Sequence, residues 1–127
     1  MPRIVHLAVK VDDLEGASKL YETVFGFSHV STVQSPGHVS RHLSDGSTVL
    51  SLLKYDSEAA PEATLAGSGP CIHHFGIEID DPVPYEKALQ EFGCEIISGS
   101  AEKLPIKFRT PQGIVAEILR PDVFKPK

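Results

Sequence analysis

Residues Ile4 to Val11 alternate at period two, which puts Leu7, Val9 and Val11 on one face of a strand and His6, Ala8 and Lys10 on the other. Leu14, Ala17, Leu20, Tyr21 and Val24 then recur at helical spacing. Asp12 or Asp13 can cap that helix by accepting a backbone N–H, and Gly26 supplies its stop. Three strands are predicted next, near 27–33, 38–43 and 47–55, with Ser35-Pro36-Gly37 and Ser44-Asp45-Gly46 as the turns between them. Residues 56–70 are small, polar and punctuated by Gly and Pro, and read as a linker. The order then returns. A strand covers about 71–79, and Asp81 caps a helix that Pro82 opens and Gly93 ends. Tyr85, Ala88, Leu89 and Phe92 are its expected apolar face, and strands near 94–98, 105–110 and 114–119 follow.

The two halves repeat each other. Val5-His6-Leu7-Ala8-Val9-Lys10-Val11-Asp12-Asp13 overlays His73-His74-Phe75-Gly76-Ile77-Glu78-Ile79-Asp80-Asp81, with His74 falling on His6 at an offset of 68 residues. Each copy runs on to a Phe-Gly pair, Phe25-Gly26 and Phe92-Gly93. A repeat of this kind sets the architecture. The expectation is a single α+β domain over 1–127, built from two tandem βαβββ modules at about 3–55 and 71–121, with linker 56–70 and a C-terminal tail 122–127. Each helix covers the Leu7/Val9 or Phe75/Ile77 face, so His6 and His74 lie on the other faces. Two curved mixed sheets arranged this way enclose a trough with both histidines inside.

Composition changes this picture little. With 41% hydrophobic and 23% charged residues the chain is globular rather than disordered. It shows no signal peptide and no apolar run of membrane-spanning length, so a cytoplasmic location is expected, with no membrane partner. Cys71 and Cys94 lack a CxxC partner and read as small buried hydrophobes. A net charge of −5 argues against nucleic acid. Residues 103–127 nevertheless carry six Lys/Arg against two acids. Within that stretch, Lys107 and Arg109 could hold an anionic group of a small-molecule substrate, but a solvated edge with a charged tail is the favoured reading.

The chemistry centres on three residues. Glu117 stands among apolar neighbours in Ile114-Val115-Ala116-Glu117-Ile118-Leu119, and a carboxylate there is costly to bury without a cation. His6, His74 and Glu117 form a 2-His-1-carboxylate set that suits one divalent metal ion per site, Fe, Mn, Zn, Ni or Co, and leaves coordination positions open. A lone strand histidine is more often structural; two at repeat-equivalent positions point to ligation. His73 competes with His74, but alternation puts it on the helix-covered side with Phe75. The competing reading of Glu117 is a partner for Arg109 or Lys107.

Residues 2–121 resemble the vicinal oxygen chelate superfamily, also called the glyoxalase/bleomycin-resistance/dioxygenase superfamily. The resemblance lies in His6-Leu-Ala-Val-Lys-Val-Asp-Asp-Leu with Leu20-Tyr-Glu-Thr-Val-Phe-Gly-Phe27, in His74-Phe-Gly-Ile-Glu-Ile-Asp-Asp, and in Phe108-Arg-Thr-Pro-Gln-Gly113 with Val115-Ala-Glu-Ile-Leu119. It implies paired βαβββ modules around a divalent metal, usually in a homodimer, and places His6, His74 and Glu117 at the family's ligand positions. Members resembling glyoxalase I add a fourth ligand on the last strand of the first module. Here that position falls on Ser51 or, with the alignment slid by one, on Leu50, and neither is a strong ligand. Proton transfer beside a carbonyl also wants a base such as a second Glu, which is not evident.

On this basis dioxygenase-like chemistry on a small oxygen-rich substrate is preferred, with a glyoxalase-like lyase or isomerase as the alternative. A metal-free drug- or metabolite-binding resistance protein is the rival from another class. His42, His38 and Tyr55 are the candidate acid/base residues, and Ser51 joins Lys107 and Arg109 as a candidate substrate contact.

Overall fold

The computed structural model describes residues 1–125. The first module is β1 (Arg3–Lys10), α1 (Leu14–Phe25), β2 (Ser28–Ser35), β3 (His38–Ser44) and β4 (Val49–Tyr55). The second is β5 (Cys71–Glu78), α2 (Tyr85–Glu91), β6 (Glu95–Ser100), β7 (Lys103–Arg109) and β8 (Val115–Leu119). The strands form one mixed eight-stranded sheet in the order β2-β3-β4-β1-β5-β8-β7-β6. In each module the first strand runs parallel to the last, and the remaining pairs are antiparallel. The expected α+β class and doubled βαβββ order are therefore present. The chain divides into two compact units, one of Met1–Val5 with His74–Phe124 and one carrying His6–His73. The last two residues of the expected C-terminal tail lie outside the described residues.

In the His6–His73 unit, Asp13 caps α1 by accepting from the Gly16 N–H at 3.0 Å. Gly26 closes the helix at φ 73°, a left-handed conformation that favours a residue without a Cβ. The buried line of α1 differs from the expected one. It runs through Leu14, Ala17, Ser18 and Tyr21, while Leu20 is half exposed and Val24 is 64% exposed. Spacings of three and four from Leu14 trace this stripe, and Leu20 and Val24 fall to one side of it. Asp13→Ala should remove one capped donor and cost about 1 kcal/mol of stability, read as a lower urea midpoint at unchanged slope.

Residues 56–70 are more than a spacer. They contain a 3-10 turn at Pro61–Thr64 whose Ala63 is fully buried. Lys10, at 2% exposure, sends its ammonium to the Ala63 carbonyl at 2.7 Å, the Gly67 carbonyl at 2.9 Å and the Glu58 carboxylate at 3.1 Å. A buried cation needs such a set of acceptors, so Lys10 pins this segment to the end of β1. His73 adds a second attachment, its Nε2 lying 2.8 Å from the Glu62 carbonyl.

The other unit has its own core of Ile79, Ile106, Phe108, Ala116 and Ile118, against which Phe75, Ile77, Tyr85 and Leu89 pack. Two sequence expectations change here. Asp81 accepts from the Val83 N–H at 3.1 Å rather than capping α2, which starts only at Tyr85. Pro84 explains the delay, because the residue before a proline is pushed out of helical conformation. Phe92 is 82% exposed instead of packing in the apolar face, since the helix has already ended at Glu91. Gly99 is required by space as well as by its φ of 84°, because a Cβ there would meet the Pro105 carbonyl. The N-terminal ammonium lies 3.2 Å from Asp80, and Arg3 lies 3.6 Å from Glu78.

Candidate metal centre

β5 and β8 carry two of the three expected ligands. Gly76 and Glu117 are register partners on these parallel strands, and His74 shares the Gly76 face of β5. The result is a His74 Nε2 to Glu117 Oε1 separation of 3.2 Å with both side chains buried. Lys107 is the cross-strand partner of Glu117 on β7 and is buried beside it. A cation opposite Glu117 offsets part of the cost of burying that carboxylate. Arg109 instead lies 3.5 Å from Glu95 in a partly exposed pair. Of the two cations read as anion-binding, Lys107 is therefore the one on the inner part of the sheet.

β1, β3 and β4 position the third ligand and its surroundings. His6 is 1% exposed. Ala8 pairs with Ser51, and Ser51 pairs with His42, so a row of three residues crosses the sheet on the face that bears His6. This register also decides between Ser51 and Leu50. Ser51 sits opposite Ala8 just as Glu117 sits opposite Gly76, and Ala8 and Gly76 are repeat equivalents. Leu50 faces the other way and lines an apolar cavity of about 370 Å³ with Leu7, Val9, Tyr21 and Phe27. A one-residue change of register swaps faces, so both residues cannot share the site.

The ligand atoms of His6, His74 and Glu117 lie within 4.8 Å of one another, and all three residues are buried. Two imidazoles and one carboxylate at that spacing fit a single divalent ion, by donor type and by the charge they leave to be neutralised.

His42 is a further titratable group on this face. Its Nδ1 lies 2.8 Å from the Ser51 hydroxyl and its Nε2 lies 3.3 Å from the Ser40 hydroxyl. Burial pushes its pKa below the ordinary histidine value, with His6 and His29 adding like-charge repulsion. Ser40 was not singled out from sequence. The available signal was alternation, which puts His38, Ser40 and His42 on one face of β3. His38 packs its ring against Tyr55 at 5.2 Å, and Tyr55 lies 5.8 Å from the His73 ring. His73, expected beneath the helix with Phe75, thus has its partners in Tyr55 and the 3-10 turn. The linker comes back over this part of the unit, which alternation along β5 alone does not reveal. Among the described residues both cysteines are free thiols, and no helix is long and apolar enough to cross a membrane.

Several known proteins resemble this chain. The ethylmalonyl-CoA/methylmalonyl-CoA epimerase of Cereibacter sphaeroides is 26% identical over 119 residues, covering 87% of this chain and 89% of that protein. The methylmalonyl-CoA epimerase structure from Mycobacterium tuberculosis superposes with a TM-score of 0.75 at 21% identity, over 93% of this chain and 87% of that one. A hypothetical protein of Bacillus halodurans gives a TM-score of 0.80 at 17% identity, with 99% of both chains covered. A further structure, of a methylmalonyl-CoA epimerase in complex with methylmalonyl-CoA and NH4+, gives 0.76 at 21% identity over 100% of this chain and 99% of that one. These structural likenesses establish the shared fold. Residues 3–118, nearly the whole chain, match the glyoxalase/bleomycin resistance protein/dioxygenase superfamily, and to that superfamily the chain belongs.

Proposed function

We propose that this protein is a divalent-metal-dependent isomerase that moves a proton on the carbon beside a carbonyl, with an acyl-CoA thioester as the substrate class. The observation that carries the metal dependence is the buried His6, His74 and Glu117 set. A carboxylate and two imidazoles converge there away from water, a donor set that a divalent cation satisfies. A bound divalent ion would act as a Lewis acid on the substrate carbonyl oxygen and so acidify the adjacent C–H. His74 and Glu117 hold each other in register, and Lys107 stands beside Glu117 on the neighbouring strand.

The sequence placed dioxygenase chemistry first and the isomerase second. The named relatives support the second. The curated relative and two of the structural neighbours described above are acyl-CoA epimerases, whose reaction is a proton transfer at a carbon beside a carbonyl. The metal-free binding protein is disfavoured by the retained ligand set. The choice among Fe, Mn, Zn, Ni and Co stays with metal analysis. A homodimer is proposed as the assembly, because α1 leaves Leu20, Val24 and Phe25 exposed; a monomer mass by light scattering would count against it.

The reaction is tested by incubating metal-loaded protein with methylmalonyl-CoA in deuterated water. Metal-dependent incorporation of deuterium beside the thioester, followed by mass spectrometry, is expected. Exchange no faster than in buffer would remove the isomerase reading for this substrate.

A further inference from the structure

We propose that His42, oriented by Ser51, is the group that accepts the substrate proton; this rests on the isomerase reading above. Proton abstraction beside a carbonyl needs a base within reach of the C–H and in its unprotonated form. The second carboxylate expected of such a site is missing from the first module, where Ser51 occupies the repeat equivalent of Glu117. The same row supplies a substitute. His42 faces Ser51 across β3 and β4, and Ala8 completes the row with nothing larger than a methyl group. Placed here, an imidazole can do what a carboxylate does elsewhere.

The hydrogen bonds define how the ring is held. The short 2.8 Å contact joins Nδ1 to the Ser51 hydroxyl, and the longer 3.3 Å contact joins Nε2 to Ser40. In the proposed arrangement Nδ1–H is the donor on the shorter contact to Ser51, which leaves Nε2 unprotonated and its longer contact to Ser40 the one that gives way to substrate. Ser51 is 2% exposed, so its hydroxyl is fixed rather than exchanging freely with water. Burial of His42 independently favours the neutral ring.

The other acid/base candidates are less well placed. His38 and Tyr55 are register partners that pack on each other, and Tyr55 also packs on His73 near the linker. His38 lies four residues from His42, about 13 Å along the strand. In the proposed step the C–H bond breaks and its proton passes to Nε2 of His42. The electron pair moves into the C–C bond as the carbonyl π electrons shift onto oxygen. Return of a proton to the planar carbon restores the carbonyl and can reset the configuration. Ser51 is a positioning residue: it holds the ring and touches no reacting atom.

The test has two arms. In the first, the zinc-loaded protein with 15N-labelled histidine is studied by NMR at neutral pH. A neutral Nδ1–H ring is expected for His42, with that tautomer lost or mixed in Ser51→Ala. An imidazolium or an Nε2–H ring in the wild type would overturn the proposal. In the second, deuterium exchange into methylmalonyl-CoA is followed for variants with full metal content. His42→Gln should lower kcat roughly 100- to 10,000-fold with KM unchanged, and His42→Glu, which restores a base, should recover part of the loss. Wild-type kcat in His42→Gln would overturn the role, and so would a loss in His42→Gln that His42→Glu does not recover at full metal content. If the wild type exchanges nothing, the isomerase reading and the proton-accepting role fall together. Exchange in the wild type combined with an unaffected His42→Gln, or with the wrong His42 tautomer, overturns the proton-accepting role alone, which separates the two failures.

Discussion

Glu117→Gln is expected to abolish divalent-metal binding and, with it, catalysis. The substitution keeps the shape of the side chain and its place opposite Gly76, so the strand pairing survives. It removes the only carboxylate of the ligand set, and with it the charge that offsets the ion. Metal polarisation of a carbonyl contributes several kcal/mol at the transition state, so activity should fall by roughly a thousandfold or more. A readout independent of turnover is available. An ion that binds only the folded protein raises stability by about 4 kcal/mol at a thousand times its dissociation constant. The melting temperature of the wild type should therefore climb on titration with metal, and that of Glu117→Gln should stay flat. Equal climbs in both proteins would remove Glu117 from the ligand set.

Lys10→Met is expected to be among the most destabilising single changes in the His6–His73 unit. Methionine fits the space of the alkyl stem but leaves the Ala63 and Gly67 carbonyls without their donor. The Ala63 carbonyl is buried and costs about 1–3 kcal/mol when left unsatisfied, whereas Gly67 is exposed and its carbonyl can turn to water, so a loss of about 1–3 kcal/mol is expected in urea unfolding. Glu58→Ala is the contrast. Its side chain is half exposed, and a partly solvated ion pair contributes about 0–1 kcal/mol. If Lys10→Met costs no more than Glu58→Ala, the two carbonyl bonds are not what holds the linker. Hydrogen exchange across residues 58–67 should rise in Lys10→Met even where global stability is still sufficient for folding.

Much of this was legible from residue order. Period-two and helical patterns located every strand and both helices, because one face of each element must be apolar to bury. The repeat then singled out His6 and His74, and the apolar setting of Glu117 marked it as a carboxylate in need of a partner. What stayed hidden has specific causes. The late start of α2 follows from Pro84, a local steric effect weaker as a signal than the Asp81-Pro82 pair beside it. The stripe on α1 is rotated because Ser18, a polar residue, takes a buried place by bonding its hydroxyl to Glu22 at 2.9 Å. The choice between Ser51 and Leu50 depended on strand register, which pairing fixes and residue order leaves open by one. The pairing of His42 with Ser51 joins two strands through their side chains, and the attachment of the linker depends on the reach of Lys10. Neither is a periodic feature.

The two equivalent rows, Ala8-Ser51-His42 and Gly76-Glu117-Lys107, are the same address written twice with different occupants. A change of chemistry in this fold then requires no rebuilding of strands or helices, only new side chains along a single row. Ser51→Glu alone would make the two rows match at that position, tighten the grip on an ion and displace the hydroxyl that holds His42. Tighter ion binding and slower proton transfer would arrive in one step, so a lineage starting from this sequence faces a trade between the two.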